Sequence, residues 1–183
     1  MLDVKTVLAV GAHPDDLELG CGATLAKLVG AGVYVRALVL SEGLLGSADA
    51  YDRCAETHAA LGRLGITDVV QAHLPDTSLS NALPEMIGLL ESQCSQLNPD
   101  RVYTMFKDDR HQDHRAVYEA TIVACRGVPQ ILSYETPSSW PNFMPVVSET
   151  VEQFMDKKIA ALQCHASQSH RNYMQEHQVR CNA

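Results

Sequence analysis

Histidine and aspartate crowd into two short stretches of this chain, Gly11-Ala-His-Pro-Asp-Asp16 and Lys107-Asp-Asp-Arg-His-Gln-Asp-His114. Three ligands drawn from His and Asp, with water in the remaining position, compose a catalytic zinc site. Calcium would ask for more carboxylates and carbonyls and fewer imidazoles. The plainer reading of the first stretch makes Asp15 or Asp16 a helix cap and His13 a polar loop residue. It leaves unexplained why two adjacent carboxylates sit beside an imidazole, an arrangement that a cation would offset, and why Pro14 fixes the backbone between them. In the second stretch, His111 and His114 are three apart and project to one side at a helix start. Asp113 lies between them and can hold the second nitrogen of an imidazole. The plainer reading is a charged helix N-terminus, where Asp108, Asp109 and Asp113 suit the dipole but two imidazoles do not.

The elements around these stretches alternate. Residues 6–10 are a short apolar run ended by Gly11, and 33–40 form a second run rich in β-branched residues; both read as strands. Weaker strands are expected at 68–73, 101–106 and 131–134, with helices at 20–29, 51–64, 84–97, 113–125 and 150–164 between and after them. Residues 41–50 read as a loop. This alternation predicts a Rossmann-like three-layer α/β fold, a mostly parallel sheet with helices on both faces. Right-handed crossovers put the functional crevice at the carboxyl ends of the strands. In the doubly wound order 3-2-1-4-5, the loops after strands 1 and 4 face each other at the switch point. Those are the two loops that carry the His/Asp clusters.

Length and composition set the outer limits. The 183 residues suit a single domain over 1–183, with the tail from about 169 expected at the periphery. The 14 Lys+Arg against 22 Asp+Glu leave a net charge of −8, and no basic cluster exists to displace counterions, so no nucleic-acid partner is expected. No apolar run approaches the roughly 20 residues of a membrane span, and nothing at the N-terminus reads as a secretion signal; a cytoplasmic location is expected. Cys21, Cys54, Cys94, Cys125, Cys164 and Cys181 contain no C-x-x-C pair, which excludes an all-thiolate structural zinc, and they read as buried thiols.

AHPDD at 12–16 paired with HQDH at 111–114 resembles the two signature motifs of the PIG-L/LmbE-like deacetylases, zinc-dependent N-deacetylases of amino sugars. Similar segments run on through Asp15-Asp16-Leu-Glu-Leu-Gly-Cys-Gly22, Ser41-Glu-Gly43 with Gly46, Arg53 with Glu56, Leu74-Pro-Asp76, Tyr134-Glu-Thr-Pro-Ser-Ser139, and Lys158 through His165-Ala-Ser-Gln168. The resemblance implies that His13, Asp16 and His114 bind Zn2+, with Fe2+ able to take the same ligands. It makes Asp15 the general base and His111, oriented by Asp113, the oxyanion stabiliser. The substrate would be a small N-acetylated amino sugar of N-acetylglucosamine type, cleaved to acetate and free amine. Family members often continue past the His-x-Ser-Gln segment, so a pocket wall completed by a second copy, as a homo-oligomer, enters the expectation.

Two other readings use the same residues. A non-haem iron(II) oxygenase also needs two His and one carboxylate, although it usually comes in another fold. A non-catalytic nucleotide-binding α/β module would want a Gly-rich loop after strand 1, where this chain has His-Pro-Asp-Asp; Gly20-x-Gly22 comes too late to serve. Among secondary candidates, Arg53 reads either as a substrate-binding guanidinium or as a surface partner of Glu56. Trp140 and Phe143 read as core cover ahead of sugar stacking, His165 as a possible neighbour of the site, and His170, His177 and Arg180 as solvated.

Overall fold

A computed structural model describes residues 3–46 and 51–181; positions 47–50 of the expected loop lie outside the described residues. Five strands form one sheet in the order β3-β2-β1-β4-β5: β1 Thr6–Gly11, β2 Tyr34–Ser41, β3 Asp68–Leu74, β4 Arg101–Met105 and β5 Gln130–Tyr134. Every pairing is parallel. The central strand β1 has Val7, Leu8, Ala9 and Val10 wholly buried, as a strand covered on both faces requires.

Helices α1 (Asp16–Gly30), α2 (Arg53–Leu64) and α5 (Met155–Leu162) pack together, and α3 (Leu83–Leu97) packs with α4 (Gln112–Ala124) as a separate pair. A short α6, Glu176–Cys181, follows. Its Val179 joins Ala23, Met155, Ile159 and Leu162 in a small cluster beside the main core.

The boundaries differ most from expectation at two helices. Helix α1 begins four residues earlier, at Asp16, because Leu17, Cys21 and Leu25 share one buried stripe at i, i+4 spacing. The last long helix is shorter than expected: a 3-10 turn at Glu152–Phe154 leads into α5. No helix among the described residues is long and apolar enough to cross a membrane.

Candidate metal centre

Because β1 lies between β2 and β4, the chain reverses its winding beside β1, and the loops leaving β1 and β4 converge there. The β1 loop ends in an unusual turn. Asp15, the N-cap of α1, has φ 94° and ψ −22° and makes no capping bond with its side chain. Its carboxylate instead lines a cavity of about 370 Å³ with His13, Asp16, His111 and His114. The turn is secured from α2. Buried Arg53 donates from Nη1 to the Gly43 carbonyl (2.7 Å) and from Nη2 to the Pro14 carbonyl (2.8 Å), with Nη2 also 3.5 Å from Asp15 Oδ2. Gly43 (φ 61°) permits this approach, since a Cβ there would lie 2.3 Å from Arg53 Nη1.

Asp16 stands between two imidazoles. Its Oδ2 is 3.5 Å from His13 Nδ1 and accepts the His13 main-chain N–H at 2.7 Å; its Oδ1 is 3.3 Å from His114 Nε2. The far side of each ring is held by another carboxylate. His13 Nε2 lies 3.0 Å from Asp113 Oδ2 and 3.3 Å from Asp76 Oδ1. His114 Nδ1 lies 3.1 Å from Asp109 Oδ2. Asp109, wholly buried, also accepts from Thr136 Oγ1 (2.6 Å) and the His111 main-chain N–H (2.8 Å). Carboxylates behind imidazoles fix ring orientation and tautomer in metal sites.

These donors suit a divalent cation: His13 Nδ1 and His114 Nε2 each lie within 3.5 Å of one Asp16 oxygen, and each ring is braced from behind. His13, His111 and His114 each present an atom within 4.8 Å of the others, as do His13, Asp76 and Asp113. The second group uses His13 Nε2, the nitrogen already bonded to Asp113, so its carboxylates brace the ring and leave Nδ1 for the cation.

In the metal-free protein the charges in the cavity act strongly on one another. Burial raises the Asp15 pKa first and the neighbouring Asp16 charge raises it further, to about 7. Burial acts to raise Asp16 as well, but the His114 charge and hydrogen bonds from both histidines outweigh it and hold Asp16 well below the usual range. Burial would depress His114; the Asp16 charge and the bonds to Asp109 and Asp16 lift it to about 9. His111 goes down, through burial and the charges of His114 and His13.

The expected site residues therefore converge, with two corrections. Asp113 does not orient His111 through its carboxylate: Oδ2 reaches His13, and Oδ1 accepts the Leu79 N–H at 3.0 Å. What holds His111 is the Asp113 main-chain N–H, donating to His111 Nδ1 at 3.2 Å, which assigns the ring hydrogen to Nε2. Arg53 is not the surface partner of Glu56, which accepts instead from the Ser167 N–H (2.9 Å) and hydroxyl (2.6 Å).

Trp140 is not core cover: it is 50% exposed, with the Arg110 guanidinium 5.3 Å from its ring. Phe143 stands edge-on to Phe106 at 5.0 Å. His165 is wholly buried, with Nε2 3.0 Å from Glu18 Oε1, and its charge bears on Asp15. The cysteines are less uniformly buried than expected: Cys21 and Cys125 are buried, Cys54, Cys94 and Cys164 half-buried, and Cys181 exposed.

Asp109 and Asp76 were missed as braces, although an imidazole pair signals that such carboxylates must exist somewhere. The segment from about 169, expected at the periphery, places Arg171 and Tyr173 in the cavity wall.

Fold and site define a class: a doubly wound α/β protein with a buried cluster of histidines and aspartates at its switch point. Residues 8–125 match the PIG-L model, GlcNAc-PI de-N-acetylase, and the chain belongs to that family. An uncharacterized deacetylase of Escherichia coli, YaiS, is 48% identical over 89% of this chain and 91% of its own length. A probable N-acetyl-alpha-D-glucosaminyl L-malate deacetylase of Bacillus anthracis is 26% identical over 92% of this chain and 83% of its own. In fold, a conserved protein of Thermus thermophilus superposes with TM-score 0.80 and 27% identity, covering 90% of this chain and 79% of that one. Family membership favours the deacetylase reading over the oxygenase and the nucleotide-binding module.

Proposed function

We propose that this chain is a divalent-cation-dependent N-deacetylase that releases acetate from an N-acetylated amino sugar, with His13, Asp16 and His114 as ligands, Asp15 as general base and His111 as oxyanion donor. The observation that carries the reading is the pairing of His13 Nδ1 and His114 Nε2 across one carboxylate, with a second carboxylate, Asp15, next to it in the same cavity. A zinc or iron(II) ion held there would lower the pKa of a water toward about 7 and polarise the acyl oxygen.

The residues then divide the work. Asp15, with a pKa raised to about 7 by burial and the Asp16 charge, is matched to accept a water proton near neutrality. His111, its Nδ1 occupied by the Asp113 N–H, offers Nε2–H to the amide oxygen as that atom gains negative charge, a contact that strengthens toward the tetrahedral state. Asp15 or His111 returns a proton to the departing nitrogen. Arg53 keeps the Asp15 turn in place through the Pro14 and Gly43 carbonyls, and its position on the cavity wall leaves a substrate contact open to it. The cavity is the size of a small-ligand site. Its outer wall of Asp76, Thr77, Ser138, Arg171 and Tyr173 offers polar groups to sugar hydroxyls.

The test is acetate release from N-acetylglucosamine and its simple glycosides by protein stripped with chelator and reloaded with zinc or iron(II). Turnover that depends on added metal supports the reading. A protein that binds one equivalent of either metal and releases no acetate from any of these amides would refute it.

A further inference from the structure

Six cysteines are free in this fold, and two of them meet. Cys94 Sγ and Cys125 Sγ are 3.1 Å apart, only about 1 Å longer than a disulfide bond. Two other sulfurs point elsewhere: Cys54 donates to Glu42 Oε1 (3.3 Å) and Cys164 to the Ala160 carbonyl of the preceding helix (3.4 Å).

The pair has a defined place in the architecture. Cys94 lies in the last turn of α3, and Cys125 is the C-cap of α4. Both helices start at the metal centre. The 3-10 turn before α3 gives the Leu79 N–H to Asp113 Oδ1, and α4 opens on His111, Asp113 and His114. One helix pair is thus joined at its near end by a hydrogen bond to a brace of the site. At its far end, about 20 Å away, it is joined by a thiol–thiol contact.

We propose that Cys94 and Cys125 are a site of reversible oxidation, closing to a disulfide that ties α3 to α4. Cys94 is half-buried and Cys125 buried, so a small oxidant meets Cys94 first. The Cys125 S–H stabilises the Cys94 thiolate and lowers its pKa against the opposing effect of burial. The same bond, together with burial, raises Cys125.

With hydrogen peroxide as oxidant, the Cys94 thiolate attacks one peroxide oxygen. The O–O bond breaks, the thiolate loses two electrons, and water leaves after protonation, giving a sulfenic acid. The Cys125 thiol, no longer holding a neighbouring thiolate, gives up its proton and attacks the Cys94 sulfur. The S–S bond forms, the S–O bond breaks, and hydroxide leaves with that proton as a second water. The sum is two thiols and one peroxide to one disulfide and two waters.

The experiment needs no variant at first: the whole protein is exposed to equimolar hydrogen peroxide, alkylated and digested without reductant. The expected result is a mass loss of about 2 Da, one linked peptide pair containing Cys94 and Cys125, and full reversal by dithiothreitol. The melting temperature should rise by about 5–10 °C on oxidation, and C94S should lose both the link and the rise. The proposal is overturned if Cys94 accumulates as sulfinic acid with Cys125 still alkylatable, if the link maps to other cysteines, or if the thiols survive unchanged. All of these readouts are independent of deacetylase turnover.

Discussion

Asn in place of Asp113 separates two roles that the sequence alone could not. The native carboxylate is wholly buried and bonds in two directions, to His13 Nε2 at 3.0 Å and to the Leu79 N–H at 3.0 Å. An asparagine of the same shape must keep its oxygen toward Leu79, because that N–H has no other partner among the described residues and an orphaned buried donor costs about 1–3 kcal/mol. Its NH2 then faces His13 Nε2, which must accept. The ring hydrogen moves to Nδ1, the nitrogen that looks toward Asp16, and the ring is left in the wrong tautomer for a metal ligand. Loss of such a brace weakens metal binding about 10–100-fold, or about 1.4–2.8 kcal/mol, and the metal-free protein should also melt lower, because the Asp113 bond that helps hold the His13 pKa up is lost. The assay is competition for zinc against a chromophoric chelator, with thermal melting of the metal-free protein alongside. If Asp113→Asn kept its zinc affinity within about twofold of the parent and lost only kcat, Asp113 would be acting on His111, and the assignment to His13 would fail.

Asp15→Asn should keep zinc and lower kcat by about 10²–10⁴-fold; an unchanged kcat with metal analysis showing full occupancy would remove Asp15 as base. Metal binding should release protons. His114, lifted to about 9 in the metal-free protein, is largely protonated at about pH 7.5 and must lose its proton to bind, so calorimetric heats should vary with buffer ionisation enthalpy and affinity should climb up to about pH 9. By the same linkage, the stability that charged His114 lends the metal-free fold is complete below its unfolded value near 6.5 and is lost as pH rises through about 9, a trend that melting curves across that window will check. Gly20→Ala puts a Cβ 2.1 Å from the Tyr134 ring, whose hydroxyl is fixed on the Val10 carbonyl. We expect a loss of about 1–3 kcal/mol and a melting temperature several degrees lower.

The sheet was legible because its signal is local: apolar runs such as Val7–Val10 and β-branched β2 declare strands by themselves, and the crossover rule orders them. The convergence of His13, Asp16, His111 and His114 followed from that order, since loops after adjacent strands must meet. The braces were not legible in the same way. Asp109 was read as part of a charged helix start, but its burial depends on Thr136 and Ser139 arriving from the loop after β5. Asp113 had two imidazoles within reach in sequence, yet its partner is His13, a hundred positions away. Arg171 and Tyr173 sit in a polar tail whose pattern carries no periodicity, and only its fold back over the crevice brings them to the wall.

Residue 15 shows where folding and chemistry disagree. A left-handed backbone, φ 94°, suits a residue without a Cβ, and an aspartate there carries strain of about 1–3 kcal/mol. A chain selected for thermal endurance alone would place glycine at that position and relax the turn. This one keeps a carboxylate under tension in a turn that a guanidinium clamps through two carbonyls, so an acid facing the cavity is also one of its least comfortable residues.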